Sequence, residues 1–98
     1  MSAIVLLVDL KLHPGKRDEY LTRARRHRET VLAREPGCKA FEIILPDDEA
    51  DAVVLYEVYE DEAAFEHHGN TEYMKSYRDD TGPMTAGRER RMCRLGSE

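Results

Sequence analysis

The hydrophobic period of this chain switches twice between two and about 3.6, and that alternation limits the folds open to it. Ala3 to Leu12 reads AIVLLVDLKL, an apolar run that becomes a strict alternation at Val8-Asp9-Leu10-Lys11-Leu12. This is a strand with at least one well-buried face. Pro14 and Gly15 end it. From Lys16 to about Arg34, Tyr20, Ala24, His27 and Val31 recur at i, i+4, i+7 and i+11, with Leu21, Arg28 and Leu32 beside them. That is the stripe of an amphipathic helix with a charged outer face, interrupted by His27. Pro36-Gly37 stops it.

The period then returns to two. Cys38 to Leu45 alternates Cys38, Ala40, Glu42 and Ile44 against Lys39, Phe41, Ile43 and Leu45. Pro46-Asp47-Asp48-Glu49 is a turn, and Ala52 to Tyr59, AVVLYEVY, is a third strand close enough to make a hairpin. Asp61 caps a helix with Ala64, Phe65 and His68 on one side. Gly69-Asn70 breaks it, and Asn70 or Thr71 caps a further helix with Tyr73, Met74 and Tyr77. Gly82-Pro83 stops that one. Gly87 to Leu95 reads as a last strand with Arg88, Arg90, Met92 and Arg94 on one face; so charged a strand needs an edge or a partner chain. The order is β-α-β-β-α-β, an α+β chain with an antiparallel four-stranded sheet and its helices on one face, the ferredoxin-like arrangement. The uncovered face keeps apolar residues from three strands, which predicts a homodimer packed sheet on sheet, a dimeric α/β barrel.

The totals exclude several classes. At 98 residues the chain is expected to be one domain, 1–98. A net charge of −5 argues against nucleic-acid binding. No apolar run reaches the roughly 18–20 residues that span a bilayer, and the N-terminal run is too short for a signal peptide. A cytoplasmic protein is expected, with Cys38 and Cys93 as free thiols. Arginines cluster at Arg23, Arg25, Arg26 and Arg28, and again at Arg88, Arg90, Arg91 and Arg94; such clusters read first as solvated faces or subunit contacts and secondly as an anion site.

Familiar catalytic motifs are missing from the sequence. The histidines are His13, His27, His67 and His68, with no H-x-x-x-H spacing. His67 and His68 point about 100° apart on a helix, so a shared metal ion is not expected. There is no glycine-rich nucleotide loop and no nucleophile elbow. Hydrogen-bonding and acid–base side chains remain: His27, His68, Tyr56, Tyr59, Asn70, Tyr73 and Tyr77. The bland reading makes His27 a core histidine, Tyr20, Tyr56 and Tyr77 core residues with a wet tip, and Asn70 a helix cap. His68 is the best candidate for function, being in phase with Ala64 and Phe65 at the helix break.

HPGK at 13–16, EPGC at 35–38 followed by Phe41 and Glu42, VLYEVYEDEAAFEHH at 54–68 and TEY at 71–73 together resemble the antibiotic biosynthesis monooxygenase family. The resemblance runs from about residue 4 to 95. It implies small dimers of ferredoxin-like units with a pocket between sheet and helices, some oxygenating anthrones, polycyclic phenols or hydroquinones with no metal or flavin. A related branch isomerises a phosphorylated pentanedione derived from an autoinducer; the YExYxDE run and TAGRERRMCRL at 85–95 are similar to it, and Asp9 falls at that branch's acidic first-strand position. The family histidine falls on His68. A second family histidine falls on Tyr73, and a common tryptophan on Tyr59. The haem-degrading branch, with its defined Asn, Trp and His, is not matched.

Both chemistries begin with loss of a proton to give an enolate or phenolate. His68, Tyr59 and Tyr73 are therefore expected as catalytic residues, with Tyr59, Asn70 and Tyr73 holding the oxyanion. Asn70, His27, Tyr56, Phe41 and Asp9 are expected to bind substrate. The expected activity is a cofactor-independent monooxygenase taking a small molecule and O₂. The alternatives are a dicarbonyl isomerase and a non-catalytic ligand-binding dimer.

Overall fold

A computed structural model describes residues 3–97. Its elements run β1 (Ile4–Leu12), α1 (Arg17–Arg34), β2 (Cys38–Ile44), β3 (Ala52–Tyr59), α2 (Glu62–Gly69), α3 (Glu72–Thr81), a short 3₁₀ turn (Gly82–Met84) and β4 (Thr85–Cys93). The four strands form one antiparallel sheet in the order β2-β3-β1-β4, the ferredoxin-like α+β topology. β4 begins two residues before the expected Gly87 and sits on an edge, where its charged side chains keep access to water.

Register explains which residues meet. Leu6, Val8 and Leu10 of β1 pair with Glu57, Leu55 and Val53 of β3 and with Met92, Arg90 and Arg88 of β4. Directly paired residues share a face, and this face carries the helices. Tyr20, Leu21, Ala24 and Val31 of α1 join it in the main core, each fully buried aliphatic side chain contributing about 1.5–3 kcal/mol. The other face holds a smaller cluster, Ala3, Val5 and Val58, with Leu7, Ala40 and Tyr56 packed against it.

One expected alternation is interrupted. The β2–β3 pairing slips between Cys38 and Ala40, so Cys38 lies opposite Tyr59 and Ala40 opposite Val58. This irregularity turns Cys38 towards the main core, away from the face of Ala40.

Two caps fix the helices that follow β3. The Asp61 side chain accepts from the Ala64 N–H at 2.8 Å, and Thr71 accepts from the Met74 N–H at 3.2 Å. Thr71 is thus the cap of α3, and Asn70 closes α2 from its C-terminal side. Each such cap stabilises by about 1 kcal/mol. α2 reaches the chain after α1 only because residue 37 is glycine: a Cβ there would stand 2.6 Å from the Ala64 Cβ.

Candidate active site

His68 closes the last turn of α2 and is buried. Its Nδ1 faces the Glu35 carboxylate, 3.1 and 3.0 Å from the two oxygens. Glu35 follows the last turn of α1, four residues after buried Val31 and on the same stripe. The same carboxylate accepts a hydrogen bond from the Tyr73 hydroxyl of α3. A carboxylate on Nδ1 holds the ring proton there, which leaves Nε2 with a free lone pair.

A second buried carboxyl lies on the other side of the ring. Glu57 of β3 brings Oε1 to 3.8 Å from His68 Nε2 and accepts a 2.5 Å hydrogen bond from the Tyr59 hydroxyl. Burial raises the Glu57 pKa; the Tyr59 hydrogen bond and the charges of His68 and Arg88 oppose this. The phenols stay protonated: burial raises both, Tyr59 strongly and Tyr73 to about 12, the latter assisted by the Glu35 hydrogen bond.

His27 completes the cluster. Its ring stacks on Tyr77 at 4.2 Å and lies 5.9 Å from the His68 ring, centre to centre. Burial, with the charges of His68 and Arg23, lowers its pKa to about 3. It is a neutral imidazole, and its buried Nδ1 has no hydrogen-bond partner among the described residues. Tyr77 is committed elsewhere, its hydroxyl 2.5 Å from that of Tyr20.

His68, Glu57, His27 and Tyr77 border a pocket of about 80 Å³ between sheet and helices. Leu6, Val8, Leu10, Leu55, Phe65 and Met74 form its apolar wall. His27, His68, Glu57, Arg78, Arg88 and Arg90 supply its polar groups. Among the described residues no group of three or more His, Cys, Asp or Glu is arranged to hold a metal ion.

The expected site residues divide. His68, His27 and Phe41 line the pocket. Tyr59 and Tyr73 stand behind His68, their hydroxyls donating to Glu57 and Glu35 rather than being free for an oxyanion. Asn70 is exposed at the end of α2. Tyr56 and Asp9 sit opposite Leu7 and Val54 on the face without helices, because their strand phase is the reverse of Glu57 and Val8. Those three side chains are not brought to the pocket. Three pocket or site groups were not singled out in the sequence: Glu35, Glu57 and Arg78. Glu35 continues the α1 stripe, and Glu57 lies in phase with Val53, Leu55 and Tyr59, so both were visible as acids on core faces. Arg88 and Arg90 stand in the cluster read secondly as an anion site and share a strand face, but nothing in the pattern tied that face to His68.

The description of the antibiotic biosynthesis monooxygenase family matches residues 3–80. The chain belongs to this family. A monooxygenase-type function is what that membership supports. No curated protein matches the chain. Among solved structures, a protein from Caulobacter crescentus CB15, provisionally named an antibiotic biosynthesis monooxygenase, is 27% identical over 96% of this chain and 90% of its own, with a TM-score of 0.92. One from Nitrosomonas europaea with the same provisional name is 26% identical over 96% and 88%, with a TM-score of 0.85. A third, from Bacteroides thetaiotaomicron VPI-5482, is 25% identical over 95% and 87%, with a TM-score of 0.84. No helix of the described residues is long and apolar enough to cross a membrane.

Proposed function

We propose that the chain is a cofactor-independent monooxygenase of small enolisable substrates, with His68 as its base. The observation that supports this is the buried Glu35–His68–Glu57 line: a carboxylate fixes Nδ1, and Nε2 stands beside a second carboxyl in the pocket wall. Nε2 takes a proton from a phenol or from carbon next to a carbonyl, leaving an electron-rich anion. That anion passes one electron to O₂; the substrate radical and superoxide join as a peroxide anion, which takes back the proton held on Nε2 and loses water to leave a new C=O at the carbon that carried its second hydrogen. Tyr59 and Tyr73 act as positioning residues, holding Glu57 and Glu35. The plain ligand-binding reading has less support, because a scaffold has no need for oriented acid–base groups at this burial.

The pocket also bears on size. About 80 Å³ is roughly half the apolar cavity of about 150 Å³ that admits benzene, so a small carbonyl compound suits it better than a fused-ring anthrone. This favours keeping one second reading, the isomerase. There the proton taken by Nε2 returns to a different carbon, and no oxygen is consumed.

We also place a second copy of the chain on the helix-free face, where Leu7, Val54 and Tyr56 are half-buried and Ile44 is 45% exposed. The deciding assay is oxygen uptake by chelator-treated protein with hydroquinones, anthrones and small 1,3-dicarbonyls, beside His68→Ala. Uptake that falls about 10²–10⁴-fold in the folded variant supports the monooxygenase. Proton exchange without oxygen uptake transfers the assignment to the isomerase, and neither activity from any substrate sinks both.

A further inference from the structure

We propose that the substrate of this pocket carries an anionic group, a carboxylate or phosphoryl, seated on Arg88, Arg90 and Arg78. The inference rests on reading the pocket as the active site and adds the chemical class of what enters it. Three guanidinium groups line the pocket against one carboxyl, that of Glu57. The chain as a whole carries a net charge of −5, so the local excess of positive charge runs against its average.

Four arginines outside the pocket have acid partners: Arg23 pairs with Asp80 at 2.7 Å, Arg26 with Asp80 at 3.8 Å, Arg28 with Glu42 at 3.4 Å and Arg94 with Glu62 at 3.3 Å. Arg17, Arg25, Arg34 and Arg91 have none among the described residues but do not line the pocket. Among the described residues, Arg78, Arg88 and Arg90 have no carboxylate within ion-pair distance. Arg78 is held by one hydrogen bond, its Nη2 donating to the Gly69 carbonyl at 3.0 Å. Strand phase places the other two: Arg88 lies opposite Leu10 and Arg90 opposite Val8, so both share the face of the pocket, while Arg91 lies opposite Leu7 on the reverse face.

Guanidinium is always charged and presents planar paired donors that match carboxylate and phosphate oxygens. At a pocket with low-dielectric walls such a field draws anions and orients them. It also serves the chemistry. Positive charge near the reacting carbonyl stabilises an enolate, the role for which Tyr59 and Tyr73 have no free hydroxyl. Glu57 does not oppose the anion strongly, since burial drives it towards its uncharged form.

The test reads binding, not turnover, and so stands apart from the oxygen assay. Acetoacetate, acetylacetone, malonate and inorganic phosphate are titrated by calorimetry into the parent protein and into a double variant, Arg88→Gln with Arg90→Gln. Both side chains are exposed on an edge strand, and circular dichroism checks the fold; Arg78→Gln serves as a separate second variant. Acetoacetate should bind at least about 10-fold more tightly than acetylacetone, in which an uncharged acetyl group replaces the carboxylate. The double variant should weaken acetoacetate by about 10- to 100-fold and acetylacetone little. Phosphate displacing acetoacetate more strongly than malonate assigns a phosphoryl group, and the reverse order assigns a carboxylate. Equal binding of acetoacetate and acetylacetone, or anion binding unaffected by the arginine substitutions, overturns the proposal. Loss of oxygen uptake in His68→Ala with anion binding retained separates the two readings.

Discussion

Acid should destabilise this protein through His27 in particular. The ring is buried, and burial with the nearby charges of His68 and Arg23 lowers its pKa from the ordinary 6.5 to about 3. A depressed histidine favours the native state most when neutral. Its contribution is fully present above pH 6.5 and is lost as pH falls towards 3, because the unfolded chain takes up a proton that the folded chain refuses. The slope starts at half of about 1.4 kcal/mol per pH unit at pH 6.5 and approaches the full value below it, so acidifying from 6.5 to 4.5 should remove about 2 kcal/mol. Glu57 works the other way: its folded pKa is raised, so its penalty eases in acid. The difference between parent and variant isolates His27. His27→Phe is the variant, since a phenyl ring preserves the stack on Tyr77 and removes the unpartnered Nδ1, which costs about 1–3 kcal/mol when buried without a partner. Urea unfolding at half-unit pH intervals should show the parent losing about 2 kcal/mol more than the variant between pH 6.5 and 4.5. Parallel curves for the two proteins would refute the reasoning.

Two further outcomes follow from the same geometry. Glu57→Gln should fold within about 1 kcal/mol of the parent, because burial already favours a neutral group there and an amide oxygen can still accept from Tyr59; proton exchange at the acidic carbon of acetylacetone, followed by NMR, should slow by about 10²-fold or more. Gly37→Ala should push α2 away from the β2 entry, since its Cβ would meet the Ala64 Cβ at 2.6 Å. Overpacking of this kind costs about 1–3 kcal/mol, and shifted ring resonances of His68 alongside a lower Tm would show that the strain reaches the site.

The fold was readable because each element carried its own period and punctuation. The α1 stripe predicted from Tyr20, Ala24, His27 and Val31 is the buried face of the helix. The antiparallel sheet with helices on one face follows from strand spacing and the hairpin at residues 46–51. The slip at Cys38 was not readable, since a bulge leaves alternation intact in the sequence and changes only the partner. Among site residues, His68 was found by helical phase. Glu35 and Glu57 were passed over because charged residues read as surface by default, although each stood in a position occupied by core residues. Tyr56 was a candidate by its hydroxyl and Asp9 by motif resemblance, and strand parity puts both on the other face.

The site and the fold depend on the same few contacts. His68 is delivered by α2, which is started by the Asp61 cap and seated over Gly37. Glu35 is delivered by the end of α1, and its backbone N–H still bonds to Val31. Glu57 comes from β3, while Tyr73 comes from α3 through the Thr71 cap. Four elements therefore meet at one imidazole, and two carboxyls compete to define its environment. Removing one partner of a buried hydrogen-bonded pair, and so leaving the other unsatisfied, costs more than replacing both. Glu35→Ala alone should therefore destabilise more than the pair Glu35→Gln with His68→Gln, because the single change leaves His68 Nδ1 and the Tyr73 hydroxyl without their acceptor. Equal stability of the two variants in urea would mean that the Glu35–His68 contact does not hold the elements together, and that the line of acids is kept for its chemistry alone.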